Sequence, residues 1–173
     1  MRTKLLIFLL LISHSIRAQS FAATDAGDFL KKACMFITWP DPYAKQKTFN
    51  MGIFAEPAEI LEMKKHFENI GIKSVPVKIV PINATENFGY LHVMIIMKKL
   101  SPEEITRVKQ MKNRPVLIIS TIKQGTNEPG QIYLEKTNNK IEFTISESGI
   151  KNSGLQVSYI LFSEAEVIDK LNY

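Results

Sequence analysis

The chain has 173 residues, 45% of them hydrophobic, with a formal net charge of +5, enough for one domain with a sizeable core. Its single cysteine excludes an internal disulfide and any cysteine-based metal cluster. Its basic residues fall in short pairs such as Lys64-Lys65 and Lys98-Lys99 rather than in a cluster, which excludes nucleic acid as a partner.

Arg2 and Lys4, the apolar run Leu5 to Ile12 and the small residue Ala18 follow the charged, apolar, small-residue order of a secretory signal peptide. The run is too short to cross a bilayer, which takes about 20 residues. The expected domain plan is therefore a signal peptide at 1–18 and one α/β domain at 19–173. Loss of those 18 residues removes Arg2, Lys4 and Arg17 and no acid, so the net charge falls from +5 to +2. Secretion is the expected destination.

Asp25 to Thr38 is predicted as a helix, capped by Thr24 or Asp25, with Phe29, Ala33, Phe36 and Ile37 at helical spacing. Cys34 lies among these apolar residues and reads as a buried, inert thiol. Trp39-Pro40 should stop the helix, because a residue before proline is pushed from helical angles, and "PDPYAKQKT" follows as a loop. Phe49 to Ala55 reads as a buried strand, and Pro57 to Ile70 as an amphipathic helix ending at Gly71. Val75 to Ile82 and Leu91 to Met97 are the next strands. Ser101, Pro102 and Glu104 then spell a capping box with proline at the first helical position, and Leu100 and Ile105 are spaced for a hydrophobic staple. Pro115 to Thr121 is a fourth strand.

Beyond it the period changes to alternation. "QIYLEK" and "KIEFTI" form a hairpin across Asn138-Asn139, a pair suited to positive φ, with Ile132 and Leu134 sharing a face with Ile141, Phe143 and Ile145. A short helical turn over Glu147 to Ser153 should end at Gly154. Ser158 to Ile168 fits a last helix, although Leu155, Val157, Tyr159 and Leu161 also alternate as in a strand. Continuous apolar strands alternating with helices predict an α/β fold: a single three-layer domain, its mostly parallel sheet flanked by helices, with a C-terminal antiparallel hairpin at the edge.

Open α/β sheets bind ligands beyond the carboxyl ends of their strands. Here those ends carry Glu56, Asn83, Lys98, Ser120 and Thr121, the candidate ligand-binding residues for a small-molecule carrier. No glycine follows the first strand in "FAEPAE", so the usual phosphate cradle is not expected. His66 and His92 lie on different elements and lack metal-ligand spacing. Each reads as structural, and Glu103-Glu104 as helix N-terminal acids. The chain is read as non-enzymatic, with no catalytic residues, metal or cofactor.

The helix ending in "FITWP" and the tail "GQIYLEKTNNKIEFTISESGIKNSGL" resemble the YfiR-like family of small periplasmic α/β proteins. Phe29, Leu30, Phe36, Trp39 and Pro40 match its first element, and His92 its buried-strand histidine, with Leu91 in place of a cysteine. Arg114, Val116, Leu117 and Ser120 match the fourth strand, with Thr121 where an Asp is common. Gly130, Ile132, Phe143, Ile145, Gly154, Leu155 and Ser158 match the tail, with Ser146 in place of an Asn. The resemblance implies a regulator that restrains the periplasmic sensing domain of an inner-membrane signalling protein, such as a diguanylate cyclase in cyclic-di-GMP signalling or a sensor kinase. It also implies a homodimer. The family's disulfide-based redox control has no counterpart in a chain with one cysteine. Trp39 either anchors the first helix to the sheet or joins Pro40 and Tyr43 in an aromatic partner-binding surface.

Overall fold

The computed structural model of the chain describes residues 21–82, 89–122 and 130–168. The expected leader at 1–18 and Asn83 lie outside these residues.

The first helix, α1, runs Ala23–Ala33. It is capped by neither expected residue: the N-cap is Ala22, and no side chain caps it. Asp25 is instead taken by Lys136, whose Nζ lies 2.6 Å from its carboxylate, tying the start of the helix to a strand far along the chain. α1 also ends earlier than expected. A 3-10 turn, Cys34–Phe36, leads into a two-residue strand β1, Ile37–Thr38. Proline at position 40 restricts only Trp39; pairing with β9, Gln156–Val157, draws Ile37 and Thr38 into extended backbone.

The main sheet begins with β2, Phe49–Phe54. Helix α2, Pro57–Phe67, stops before the expected Ile70, because Gly71–Ile72 forms a short strand β3. β3 turns back through Lys73 and Ser74, at φ 52° and 64°, into β4, Val75–Pro81. Then come β5, Val93–Ile96, α3, Pro102–Met111, and β6, Leu117–Ser120. The hairpin strands β7, Ile132–Thr137, and β8, Lys140–Ser146, join through Asn138 and Asn139 at φ 49° and 64°. Its register places Ile132 opposite Ile145 and Leu134 opposite Phe143, as their alternation requires. A helix α4, Glu147–Ser153, ends at left-handed Gly154 (φ 73°). The final stretch divides into α5, Tyr159–Ser163, and β10, Glu166–Ile168, so its helical and alternating patterns are each partly realised.

These strands make one sheet in the order β10-β8-β7-β6-β5-β2-β4-β3. The β4, β2, β5, β6 and β7 pairs are parallel, giving the expected α/β fold, and β10 lies outside the hairpin, parallel to β8. The β2-α2-β4 and β5-α3-β6 crossovers run in opposite directions from the centre, so their right-handedness puts α2 and α3 on opposite faces. β5 and β6, covered on both sides, are buried at every residue.

Between β6 and β7 the ladder is short, and buried Gln131 extends it. Its N–H donates to Ile118 O at 2.8 Å, and its Oε1 accepts from Ile118 N–H at 2.9 Å. Its Nε2 donates to Gly149 O at 3.3 Å.

The capping box of α3 is fully formed. Ser101 Oγ accepts from Glu104 N–H at 3.2 Å, while Glu104 Oε2 accepts from Ser101 N–H at 2.7 Å. Leu100 is buried and Ile105 packs on the core, in line with the staple. Ser101→Ala should therefore cost about 1 kcal/mol in a urea unfolding titration, with the denaturant slope unchanged.

Candidate functional site

The aromatic residues that follow β1 close over the amino-terminal ends of the central strands. Trp39 is buried, with its Nε1–H donating to His92 O at 3.0 Å. Its ring meets Phe49, at the start of β2, edge-on at 5.4 Å between centroids. A 3-10 turn at Tyr43–Lys45 brings Tyr43 into the same group, where it is also buried. Pro40 is exposed.

His92 joins these parts. Its ring stacks on Phe49 at 4.6 Å. Asn50 N–H donates to its Nδ1 at 3.0 Å, so that nitrogen carries the lone pair. Nε2 therefore carries the hydrogen and donates to Tyr43 O at 2.9 Å. Burial holds the His92 pKa below the ordinary histidine value, opposed by the bond to Tyr43 O. The Asn50 N–H needs an unprotonated Nδ1 and so also favours the neutral ring. With both ring nitrogens bonded to backbone, His92 has none left to act as a base.

A half-open cleft of about 140 Å³ lies beside this cluster. Its bed is Trp39, Tyr43, Phe49, Ile72 and His92, and Gln46 and Lys73 stand at its rim. The turn between β3 and β4 aims Lys73 across the Trp39 face, with Nζ 5.7 Å from the ring centroid and 2.5 Å from Ile37 O. Lys73 was not legible as a site residue, because a lone exposed lysine ordinarily marks a solvated surface. Its one signal is position, in a positive-φ turn without glycine.

The carboxyl ends of the strands present a different picture. Glu56 is exposed and caps α2 in a reciprocal box with Glu59, whose Oε2 accepts from Glu56 N–H at 2.8 Å. Lys98 lies 3.6 Å from Glu104. Ser120 is buried and donates to Ile122 O at 2.7 Å, and Thr121 Oγ1 lies 3.4 Å from Ile96 O. Parallel pairing brings these ends side by side, yet each of these side chains is engaged within its own surroundings.

His66 sits on α2 against Gly27 of α1, where a β-carbon on that glycine would fall 2.6 Å from the ring. Its Nε2 is 3.5 Å from Asp28, longer than a hydrogen bond, so its role here is packing at a close helix crossing. Cys34 is fully buried, and burial pushes its thiol far above the ordinary value, leaving it inert as expected.

Trp39→Ala should lose roughly 3–5 kcal/mol of stability, and Trp39→Phe about 1–3 kcal/mol, measured by chemical denaturation. The smaller loss reflects a retained ring and an abandoned bond to His92 O. The depressed His92 pKa has a sign: below about pH 6.5 the unfolded chain takes up a proton that the folded chain refuses. Stability contributed by the neutral ring is thus fully present above that pH and falls as the pH drops toward the folded value. Denaturation midpoints measured from about pH 7 to 5 should decline in the wild type, and His92→Gln should flatten that decline.

Among the described residues no helix is long and apolar enough to cross a membrane. The chain has no significant sequence match among curated proteins. The model of the YfiR/HmsC-like family matches residues 26–166, from α1 through the start of β10 and most of the chain. That span contains both the Trp39–His92 cluster and the hairpin tail, and the chain belongs to the YfiR/HmsC-like family.

Proposed function

We propose that the protein is a secreted, periplasmic regulator without enzymatic activity, which binds and restrains the periplasmic sensing domain of an inner-membrane signalling protein. A diguanylate cyclase is the partner type this reading favours, with cyclic-di-GMP as the output. Family membership supports the regulatory class. The observation that carries a protein-binding surface is the apolar exposure at one end of the β1–β9 ladder. Met35, Tyr159 and Ile160 are 71%, 82% and 52% exposed. Pairing of Ile37 with Val157 continues through Ser158 N–H to Phe36 O at 2.8 Å, which sets Met35 and Tyr159 at the same end of that ladder. Large apolar side chains gathered at one place and open to water mark an interaction site.

The Trp39–Pro40–Tyr43 segment follows directly from β1. In this reading Pro40 is the part that touches the partner, while buried Trp39 and Tyr43 hold the segment in shape. Photocrosslinkers placed at Tyr159 and at Pro40 in the native envelope should capture one inner-membrane protein through its periplasmic domain. The same group at Lys140, on the exposed hairpin tip, should not. Capture from all three positions alike, or of no membrane protein from either test position, would sink the proposal. Tyr159→Glu should abolish capture from Pro40 and leave the circular dichroism spectrum unchanged.

A further inference from the structure

We propose that the cleft at the amino-terminal ends of β2, β4 and β5 is a binding site for a small apolar carboxylate of about one ring in size, its body on Trp39, Phe49 and Ile72 and its carboxylate on Lys73 Nζ. The inference does not depend on the protein partner.

Size and lining set the first half of it. A space of about 140 Å³ matches a single ring or a short branched acid; apolar cavities near 150 Å³ hold benzene. The bed is already rigid. Trp39 is fixed by its bond to His92 O, Phe49 by stacking on His92, and both are 4% exposed. Walls fixed before binding lower the entropy lost on binding. The lining comes from four separate segments, at 38–46, Phe49, 72–75 and His92, which converge on a compact space. A peptide would need an extended groove.

Charge sets the second half. Lys73 is the one charged side chain in that lining, and no acid faces it there. Among the described residues it has no carboxylate partner. Its bond to Ile37 O uses one of three ammonium hydrogens and holds the charge beside the Trp39 face at the mouth of the cleft. The two-residue β3–β4 turn, with Lys73 and Ser74 at the positive φ that such a hairpin requires, places it there. Neutral His92 adds no second cation. A simple carboxylate is thus matched, whereas an amino acid would bring its own ammonium up to Lys73. The site should reject zwitterions of the same shape.

The chain holds a single tryptophan, so Trp39 fluorescence reports the cleft directly. Purified protein titrated with phenylacetate should show a saturable change in emission, matched by heat in a calorimeter, at millimolar concentration or below. Phenylacetamide and phenylalanine should bind at least about tenfold more weakly. Lys73→Gln should weaken phenylacetate by a similar factor and erase its advantage over the amide. Gln46→Glu, at the rim and outside the β3–β4 turn, should also weaken it through charge repulsion, and it serves if Lys73→Gln disturbs the fold. No saturable change with phenylacetate, or equal binding of the acid and its amide, would overturn the proposal. Binding of an N-acetylated Phe-Asp peptide without binding of phenylacetate would also overturn it, assigning the cleft to a partner's side chain.

Discussion

The structure turns on the hydrogen bonding of one residue, His92. Its N–H donates to Asn50 O at 2.9 Å, and its carbonyl accepts from both Leu117 N–H, at 2.9 Å, and Trp39 Nε1–H. Its ring takes the Asn50 N–H and returns a hydrogen to Tyr43 O. One residue thereby joins β2, β5, β6 and the segment after β1, with all four of its polar atoms satisfied. Leaving any of these buried partners unpaired would cost about 1–3 kcal/mol, which makes the neutral ring a structural requirement. Gln131 does the same work two strands further along, where its side-chain oxygen takes the Ile118 N–H. At both places a side chain continues a ladder where the neighbouring backbone ends.

This device explains what could and could not be read in the residues. Elements whose signals are local were legible: the Ser101–Glu104 box, the Asn138-Asn139 turn, the alternating hairpin and the apolar strands that imply a parallel sheet. Elements that depend on distant pairing were not. Ile37 and Thr38 read as helix because nothing near them shows that Gln156 and Val157 will draw them into a strand. Asp25 looks like a cap until Lys136 arrives from the hairpin. His92 was legible as a structural histidine and Trp39 as either an anchor or a surface aromatic, but their mutual bond is a tertiary fact. Tyr159 read as part of a last helix or of an alternating run, and its exposure emerges only once α5 proves to be a single short turn of chain between two strands.

The two ends of the sheet also divide the chemistry differently from the general rule for open α/β sheets. With β2, β4, β5 and β6 numbered in order of appearance, the parallel core runs second, first, third, fourth, the flavodoxin-like arrangement, with its switch point between β2 and β5. At the carboxyl side of that point, Glu56 and Lys98 are engaged by the helices that follow: one in a capping box, the other beside Glu104. Helix N-termini need acceptors for their free N–H donors; Glu56 and Glu59 serve α2 and Ser101 and Glu104 serve α3, with Lys98 paired to Glu104.

The amino side has the opposite character. No crossover helix begins there, so backbone N–H donors are met instead by the side chains of His92 and Gln131, while Trp39 Nε1–H meets the His92 carbonyl and Tyr43 O takes the His92 ring hydrogen. That segment brings aromatic surface to the strand ends without filling all the space beneath it. The ladder β1–β9 then connects the same segment to the exposed Met35 and Tyr159. A change in what Trp39 packs against would have to be absorbed by Ile37 and Thr38, because Lys73 fastens Ile37 O to the β3–β4 turn and Trp39 is held at His92. Cleft and apolar surface therefore lie at two ends of one short, tightly bonded strand, a physical path along which occupancy of the first could bias the second.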